Sequence, residues 1–298
     1  MSVQEEYQRR LGMWNKLNQE SDPEHTSPET LNRLGFYGGA QGIWVDKKQT
    51  GYLTDEGEGI AVSLYHTVAT YSDELSEDVL LYHYPHTNRP AARDVGEIKA
   101  AKAAGVLHIP VFVIIKPTRT STRRRVKIGW IEGWDDSSEL LLVSFQENAP
   151  SSLLTEPNDD EPFKLFDKSA RPAALVPTRP QQQRFRFRVI QRYGACCPLC
   201  GLDIRDLLDA IHLTPKGKKG SDDPRNGLVL CTLHHRALDT GLFGINPNTL
   251  RIQYHKRGPD AAALRITVKD LNNLPRKPHS DALRWLWKEF EKTEASTS

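Results

Sequence analysis

The stretch that decides how this chain is read runs from Cys197 to Asp239, CPLCGLDIRDLLDAIHLTPKGKKGSDDPRNGLVLCTLHHRALD. It opens on a Cys-x-x-Cys pair, Cys197 and Cys200, and closes on Cys231-x-x-His234, followed at once by His235. Two separated pairs of soft ligands are what a tetrahedral zinc ion needs. Each pair sits on a tight knuckle, and the ion ties two distant pieces of chain together. The expected structural zinc ligands are Cys197, Cys200, Cys231 and His234. His235 in place of His234 is an alternative, and so are a redox pair of thiols and a zinc ribbon without catalysis. Cys196 falls outside the two-residue spacing and is not expected to bind the ion.

Between the pairs, LLDAIHL reads as a strand ending in His212. Asn226-Gly227 reads as a turn, LVLC as a second strand, and TLHHRALD as a helix. Together they predict a zinc-braced ββα unit. These residues resemble the HNH endonuclease family: His212 stands at its first His, Asn226 at its Asn and His235 at its last His. The resemblance implies a single-metal phosphodiester hydrolase. His212 would deprotonate the attacking water, and His235 would hold a catalytic Mg²⁺ or Mn²⁺ beside the scissile phosphate. Asn226 would orient the His212 imidazole or brace the loop.

The chemistry suits those residue types. A phosphodiester repels nucleophiles, so hydrolysis needs an activated water and positive charge near the oxygens that gain charge. A neutral His accepts a proton near pH 7. Taken singly, a His on an apolar strand is a core residue and Asn-Gly is only a turn. It is their co-occurrence inside one zinc frame that points to catalysis. Asp209 lies three residues before His212, so an extended strand turns it to the other face, though a bulge would let it reach the metal. Asp239 reads as a helix-face residue rather than a ligand.

The 298 residues predict two domains, and the formal net charge of +2 gives no global basic signature. Nucleic-acid contact must then come from local clusters. All four cysteines fall between residues 196 and 231, which argues against a disulfide-stapled secreted protein and for a reducing cytoplasm. No apolar run is long enough to span a bilayer, and the charged, amphipathic start has no secretory h-region.

Residues 1–34 read as a helical segment, with Leu11, Trp14 and Leu17 at helical spacing. The texture then changes to β-prone runs separated by turns: GIAVSLY, DVLLYHY, IPVFVII, VKIGWIEGW and ELLLVSF. One helical stretch, RDVGEIKAAKAAG, intervenes. The fold class expected is α+β, a curved sheet or barrel followed by the ββα domain. Nucleotide binding is excluded, because no G-x-G-x-x-G joins a strand to a helix and no Walker lysine is present.

The order Tyr71-Ser-Asp73-Glu74, then the strand ending in Tyr82-His83, then the helix, then Pro110 to Val113, resembles the SET- and RING-associated (SRA) domain. The resemblance implies a PUA-like fold that flips a modified cytosine into a pocket, here built from Tyr71, Asp73, Glu74, Tyr82 and His83. It departs from the family before Tyr71, where Val68-Ala69-Thr70 replaces a glycine pair, and at His83 and Tyr84. Flat aromatic walls suit a flipped base, and a carboxylate accepts from the exocyclic amine of cytosine. A methyl-sized space would favour 5-methylcytosine.

Arg123, Arg124, Arg125 and Lys127, with Lys216, Lys218 and Lys219 of the KGKKG loop, are the expected DNA-backbone contacts. Domain boundaries are expected at 1–34 (helical segment), 35–148 (reader), 149–180 (a Pro- and acid-rich linker, partly ordered where FKLF docks) and 181–298 (nuclease domain). QRFRFRVIQR reads as a basic helix, LRIQYH and ALRITV as a hairpin, and HSDALRWLWKEFEK as an amphipathic helix. The whole reading is that of a cytoplasmic, bacterial, modification-dependent restriction endonuclease acting on double-stranded DNA, homodimeric by default because one HNH site cuts one strand. Its rivals are a non-catalytic reader of modified DNA, and an HNH nuclease whose N-terminal domain reads no modified base.

Overall fold

The structure is a computed structural model. It describes residues 2–38, 42–67, 75–86, 90–146, 148–167 and 179–296. The chain divides into two compact units, Met1–Thr155 and Glu156–Ser298.

The N-terminal unit begins with α1 (Val3–Glu20), nucleated by the Ser-x-x-Glu pattern at its head. The Ser2 hydroxyl accepts from the Glu5 amide at 3.2 Å and Glu5 reaches back to the Ser2 amide, a reciprocal cap that satisfies two orphan donors. The Ser27 side chain caps α2 (Pro28–Arg33) by accepting from the Thr30 amide at 3.2 Å, with Pro28 in the first turn, where its missing N–H costs nothing. Then follow β1 (Ile43–Val45), the short α3 (Lys47–Thr50), β2 (Ala61–Thr67), β3 (Val79–His83), α4 (Ala91–Val106), β4 (Val111–Lys116), β5 (Arg125–Asp135) and β6 (Leu140–Ser144). The strands form one six-stranded sheet in the order β1-β2-β4-β5-β6-β3, with β2 and β4 parallel and the other neighbours antiparallel.

The uninterrupted apolar run of β4 reflects burial on both faces. Val111, Val113 and Ile115 face a cluster closed by Ala100, Ala101 and Ala104 of α4. Phe112 and Ile114, one residue out of phase, face Leu17 and Leu31 of the N-terminal helices and Phe36. The sheet curls into a half-barrel. Although β2 and β3 lie far apart in strand order, His66 of β2 is close enough to His83 of β3 to feel its charge. Burial first, and His83 second, push His66 down to about 4, so it is neutral at physiological pH. The α+β expectation and its curved sheet stand.

A buried ion pair ties α1 to this sheet. Arg10 and Glu6 are both fully buried, with Nε 2.5 Å from Oε1. Arg10 also donates to the carbonyls of Ala61 and Pro110, at 2.7 and 3.3 Å. Burial alone would raise the Glu6 carboxyl, but hydrogen bonding from Arg9 and the charge of Arg10 outweigh it and hold Glu6 below the usual range.

In the C-terminal unit, Arg192 of α5 (Arg179–Tyr193) pairs with Glu156 at 3.0 Å and with Asp159. Part of the stretch expected as linker is therefore fastened here. Phe163 stacks on His279 at 3.8 Å, and Phe166 bridges to Gly220. The hairpin of β7 (Leu208–His212) and β8 (Gly227–Cys231) pairs His212 with Gly227 and Leu208 with Cys231, and α6 (Thr232–Asp239) leaves directly from it.

One expectation fails beyond the hairpin. Ile252–Tyr254 (β10) pairs with Phe243–Ile245 (β9), not with the ALRITV run. That run is held otherwise: Leu264 and Ile266 are buried, and Thr267 donates to the Leu199 carbonyl at 2.9 Å beside the first Cys pair. The run is held by hydrogen bonds to Leu199 and His234 rather than by a strand partner. The chain ends in α7 (Ser280–Ser296), which packs on β9. Among the described residues no helix is long and apolar enough to cross a membrane.

Candidate active site and metal centre

The donor atoms of Cys197, Cys200, Cys231 and His234 all lie within 4.8 Å of one another. His234 Nδ1 is 3.3 Å from Cys197 Sγ and 3.1 Å from Cys231 Sγ, and Cys200 Sγ is 4.0 Å from Cys231 Sγ. Tetrahedral zinc, with bonds near 2.0–2.3 Å, sets ligand–ligand edges of roughly 3.5–3.8 Å, so the cluster has the size to bind zinc. The chemistry fits too. His234 is fully buried and Nε2 lies 2.9 Å from the Leu264 carbonyl oxygen, so Nε2 carries the proton and Nδ1 turns its lone pair to the sulfurs. Burial keeps His234 below its ordinary value and pushes the Cys231 thiol up to about 11. A cation among these sulfurs is what would make them thiolates at neutral pH. His235 lies outside the cluster, and Cys196 is exposed and also outside it.

His212 ends β7 and is clamped on two sides. Its ring lies 3.6 Å from that of Phe185, the planes 6° apart, and Phe185 is 2% exposed. Helix α5 comes this close because residue 227, opposite His212, is glycine. A Cβ there would sit 2.5 Å from Val189 and 2.9 Å from Phe185. On its edge, His212 Nε2 lies 2.9 Å from Asp222 Oδ1, while Lys216 Nζ donates to Asp222 Oδ2 at 2.8 Å. Burial would raise Asp222, but the hydrogen bonds from His212 and Lys216 outweigh it and hold the carboxyl below its usual range. An ionised Asp222 accepts a proton-bearing Nε2, which leaves Nδ1 as the basic nitrogen.

Of the two tasks open to Asn226, the structure gives it the loop. The fully buried amide accepts from the Thr214 N–H at 2.9 Å and donates to the Thr214 and Ser221 carbonyls at 3.1 and 2.9 Å. It thereby staples both ends of the segment that carries Lys216 and leads into Asp222.

His235 has a carboxylate at each nitrogen: Asp209 Oδ2 2.9 Å from Nδ1 and Asp239 Oδ2 3.4 Å from Nε2. The sequence reading set both acids aside. Alternation alone turns Asp209 away from His212, but α6 starts beside Leu208 and so brings His235 to Asp209. Asp239 also lines, with His212, one cavity, which places it between the two histidines. Oxygen and imidazole donors of this kind suit Mg²⁺ or Mn²⁺.

The other expected residues fare differently. Lys216 is engaged by Asp222, whereas Lys218 and Lys219 are exposed. Arg125 pairs with Glu24 at 2.5 Å and with Glu77, and Lys127 with Glu77 at 3.2 Å, so acids meet part of that cluster. Arg124 lies over the Tyr65 ring, and Arg123 is exposed. Arg186 of α5 is turned inward onto the Leu208 carbonyl, at 2.6 Å. Tyr71, Asp73 and Glu74 lie outside the described residues; Tyr82 is 6% exposed within the core and His83 is half-buried. Sequence reasoning missed Phe185 and Asp222. The signal for Asp222 was the acid doublet Asp222-Asp223 ahead of Asn226: Asp223 caps the following turn, which frees Asp222 for His212.

Among solved structures, the chain resembles a modification-dependent TagI restriction endonuclease at 17% identity over 89% of this chain and 91% of that one, with a TM-score of 0.35. It resembles the SUVH5 SRA domain in complex with fully methylated CG DNA at 20% identity over 43% of this chain and 88% of that one, with a TM-score of 0.29. The Type IV phosphorothioation-dependent restriction endonuclease ScoMcrA is similar at 15% identity over 89% of this chain and 58% of that one, with a TM-score of 0.30. No curated protein matches the chain. Residues 197–246, from the first zinc-spaced cysteine through β9, match the family model described as HNH endonuclease, and the C-terminal unit therefore carries a nuclease domain of that family.

Proposed function

We propose that the protein is a modification-dependent DNA endonuclease: the N-terminal unit reads a modified cytosine, with 5-methylcytosine the favoured base, and the HNH domain hydrolyses a phosphodiester nearby. The observation that carries the catalytic half is His212 held between Phe185 and Asp222, within a match to an HNH family. In this reading Nδ1 takes the proton of the attacking water, and Asp222 fixes the tautomer and steadies the imidazolium that forms, as a buried carboxylate does for a catalytic histidine elsewhere. Asn226 keeps the loop closed so that Asp222 stays in place. His235, with Asp209 or Asp239, would hold a divalent cation. When bound, that ion supplies positive charge to the phosphate oxygens that gain charge. The cluster of Cys197, Cys200, Cys231 and His234 holds a structural zinc that fixes the α6 end of the hairpin.

The reader half rests on the run from Tyr71 to His83 and on the curled sheet that carries β3. Exposed Arg123, Lys218 and Lys219 are the cations best placed for phosphates, and Arg124, Arg125, Lys127 and Lys216 contribute where their present partners yield. One such site cuts one strand, so a double-strand break calls for two protomers or two successive events. The experiment is nicking of a methylated plasmid in Mg²⁺ by wild type and His212→Ala. Nicking by the wild type alone is expected, and equal nicking by both would remove His212 from the mechanism.

A further inference from the structure

The cavity shared by His212 and Asp239 has a second wall outside the matched family region. Its volume is about 210 Å³, and Trp285, Leu286 and Phe290 of α7 close it opposite the ββα unit. That wall is seated by close packing: a Cβ on Gly244 of β9 would sit 2.6 Å from the Phe290 ring, so the helix lies against bare backbone. Trp285 is half-buried, and its indole N–H has no partner among the described residues, whereas that of Trp287, two residues on, donates to Glu291 at 2.8 Å. Two acids line the cavity, Asp239, which lies 3.4 Å from His235, and Glu289, which pairs with Lys292 at 2.5 Å.

From this juxtaposition we infer that the cavity is a nucleobase subsite, in which Trp285 stacks on the base next to the scissile phosphate while His212 attends to the phosphate itself. The inference rests on the nuclease reading and adds to it a specificity-determining residue. Size, shape and hydrogen-bonding groups all suit a base. A pocket of this volume is smaller than those that take drug-sized ligands, and so has room for one ring system. A carboxylate oxygen at the cavity wall accepts from an amino group on a base edge. A flat indole with one free N–H offers a stacking face and a single donor, the usual platform for unpaired bases.

The test uses the full-length, zinc-loaded protein and duplexes in which one abasic residue is walked position by position through the cleaved region. Stacking on one aromatic corresponds to roughly ten- to a hundredfold in kcat/KM. Wild type should lose that factor when the abasic residue falls at one position adjacent to the cut. Trp285→Ala should cut the intact duplex at that reduced rate and be indifferent to the abasic residue there. Trp285→Phe should restore most of the rate and the dependence. If Trp285→Ala keeps the full dependence on that base, or no position distinguishes it from wild type, the subsite assignment is wrong. A parallel binding arm separates this from failure of the nuclease reading. 2-Aminopurine walked through the same duplexes should change its fluorescence at one position with His212→Ala protein, and not when Trp285→Ala is added. A wild type that cuts nothing but retains this signal would sink the nuclease reading alone. An unchanged signal in the double variant would sink the subsite.

Discussion

At His212 the functional reading narrows to two contacts. The sequence offered a histidine on an apolar strand. The ring stack with Phe185 and the 2.9 Å contact to Asp222 give it an orientation and a tautomer. His212→Ala is expected to lower kcat about a hundred- to ten-thousand-fold while DNA affinity holds, as removal of a general base does. Asp222→Asn keeps the shape but removes the charge and the tautomer preference; single-turnover cleavage should fall by a similar order, with zinc content unchanged. An Asp222→Asn variant at wild-type rate would show that Asp222 serves only Lys216. The Cys/His cluster that could bind zinc was legible because its spacing is local. Asp222 and Phe185 were not, because one is chosen by a loop closed through Asn226 and the other by a helix that approaches over Gly227. Asp209 was discounted because strand alternation describes β7 alone and cannot see the helix that lands on it.

At the scale of elements, the strands of β4, β5 and β6 and the helices α4, α6 and α7 were readable from period and caps. The ALRITV run was not, since it is held by hydrogen bonds to Leu199 and His234 that no local pattern reveals. Cys200→Ser should release zinc and unfold the C-terminal unit, because structural zinc contributes folding free energy on the order of 10 kcal/mol. Metal analysis and circular dichroism check this, and a folded, zinc-free, active variant would contradict the ligand set. Helix α1 offers a second test. Glu6→Gln leaves Arg10 buried and unpaired, a loss of about 3–5 kcal/mol at neutral pH. Because the folded state holds Glu6 below its usual range, its contribution is present above the unfolded carboxylate value and disappears as pH falls through the folded one. The difference in unfolding midpoint between wild type and Glu6→Gln should therefore shrink on acidification below about pH 4. A difference that grows there would reverse the assignment.

For the whole molecule, the claim is that recognition and cleavage belong to separate units. Tyr82 is too deeply packed for truncation to report on recognition alone, since a buried aromatic cut to Ala costs about 3–5 kcal/mol of stability. Tyr71→Ala is the better probe. Affinity for methylated duplex should drop roughly ten- to a hundredfold with little change for unmodified duplex, in paired binding curves at fixed salt. Arg123→Glu should weaken both duplexes alike and flatten the salt dependence. The most direct measurement is digestion of one duplex sequence carrying cytosine, 5-methylcytosine, 5-hydroxymethylcytosine or 6-methyladenine, each with Mg²⁺, Mn²⁺ or EDTA. Cleavage of a cytosine-modified duplex with either ion, none with EDTA and none of the unmodified duplex is the predicted result. Equal cleavage of all four duplexes, or cleavage that survives EDTA, would contradict it.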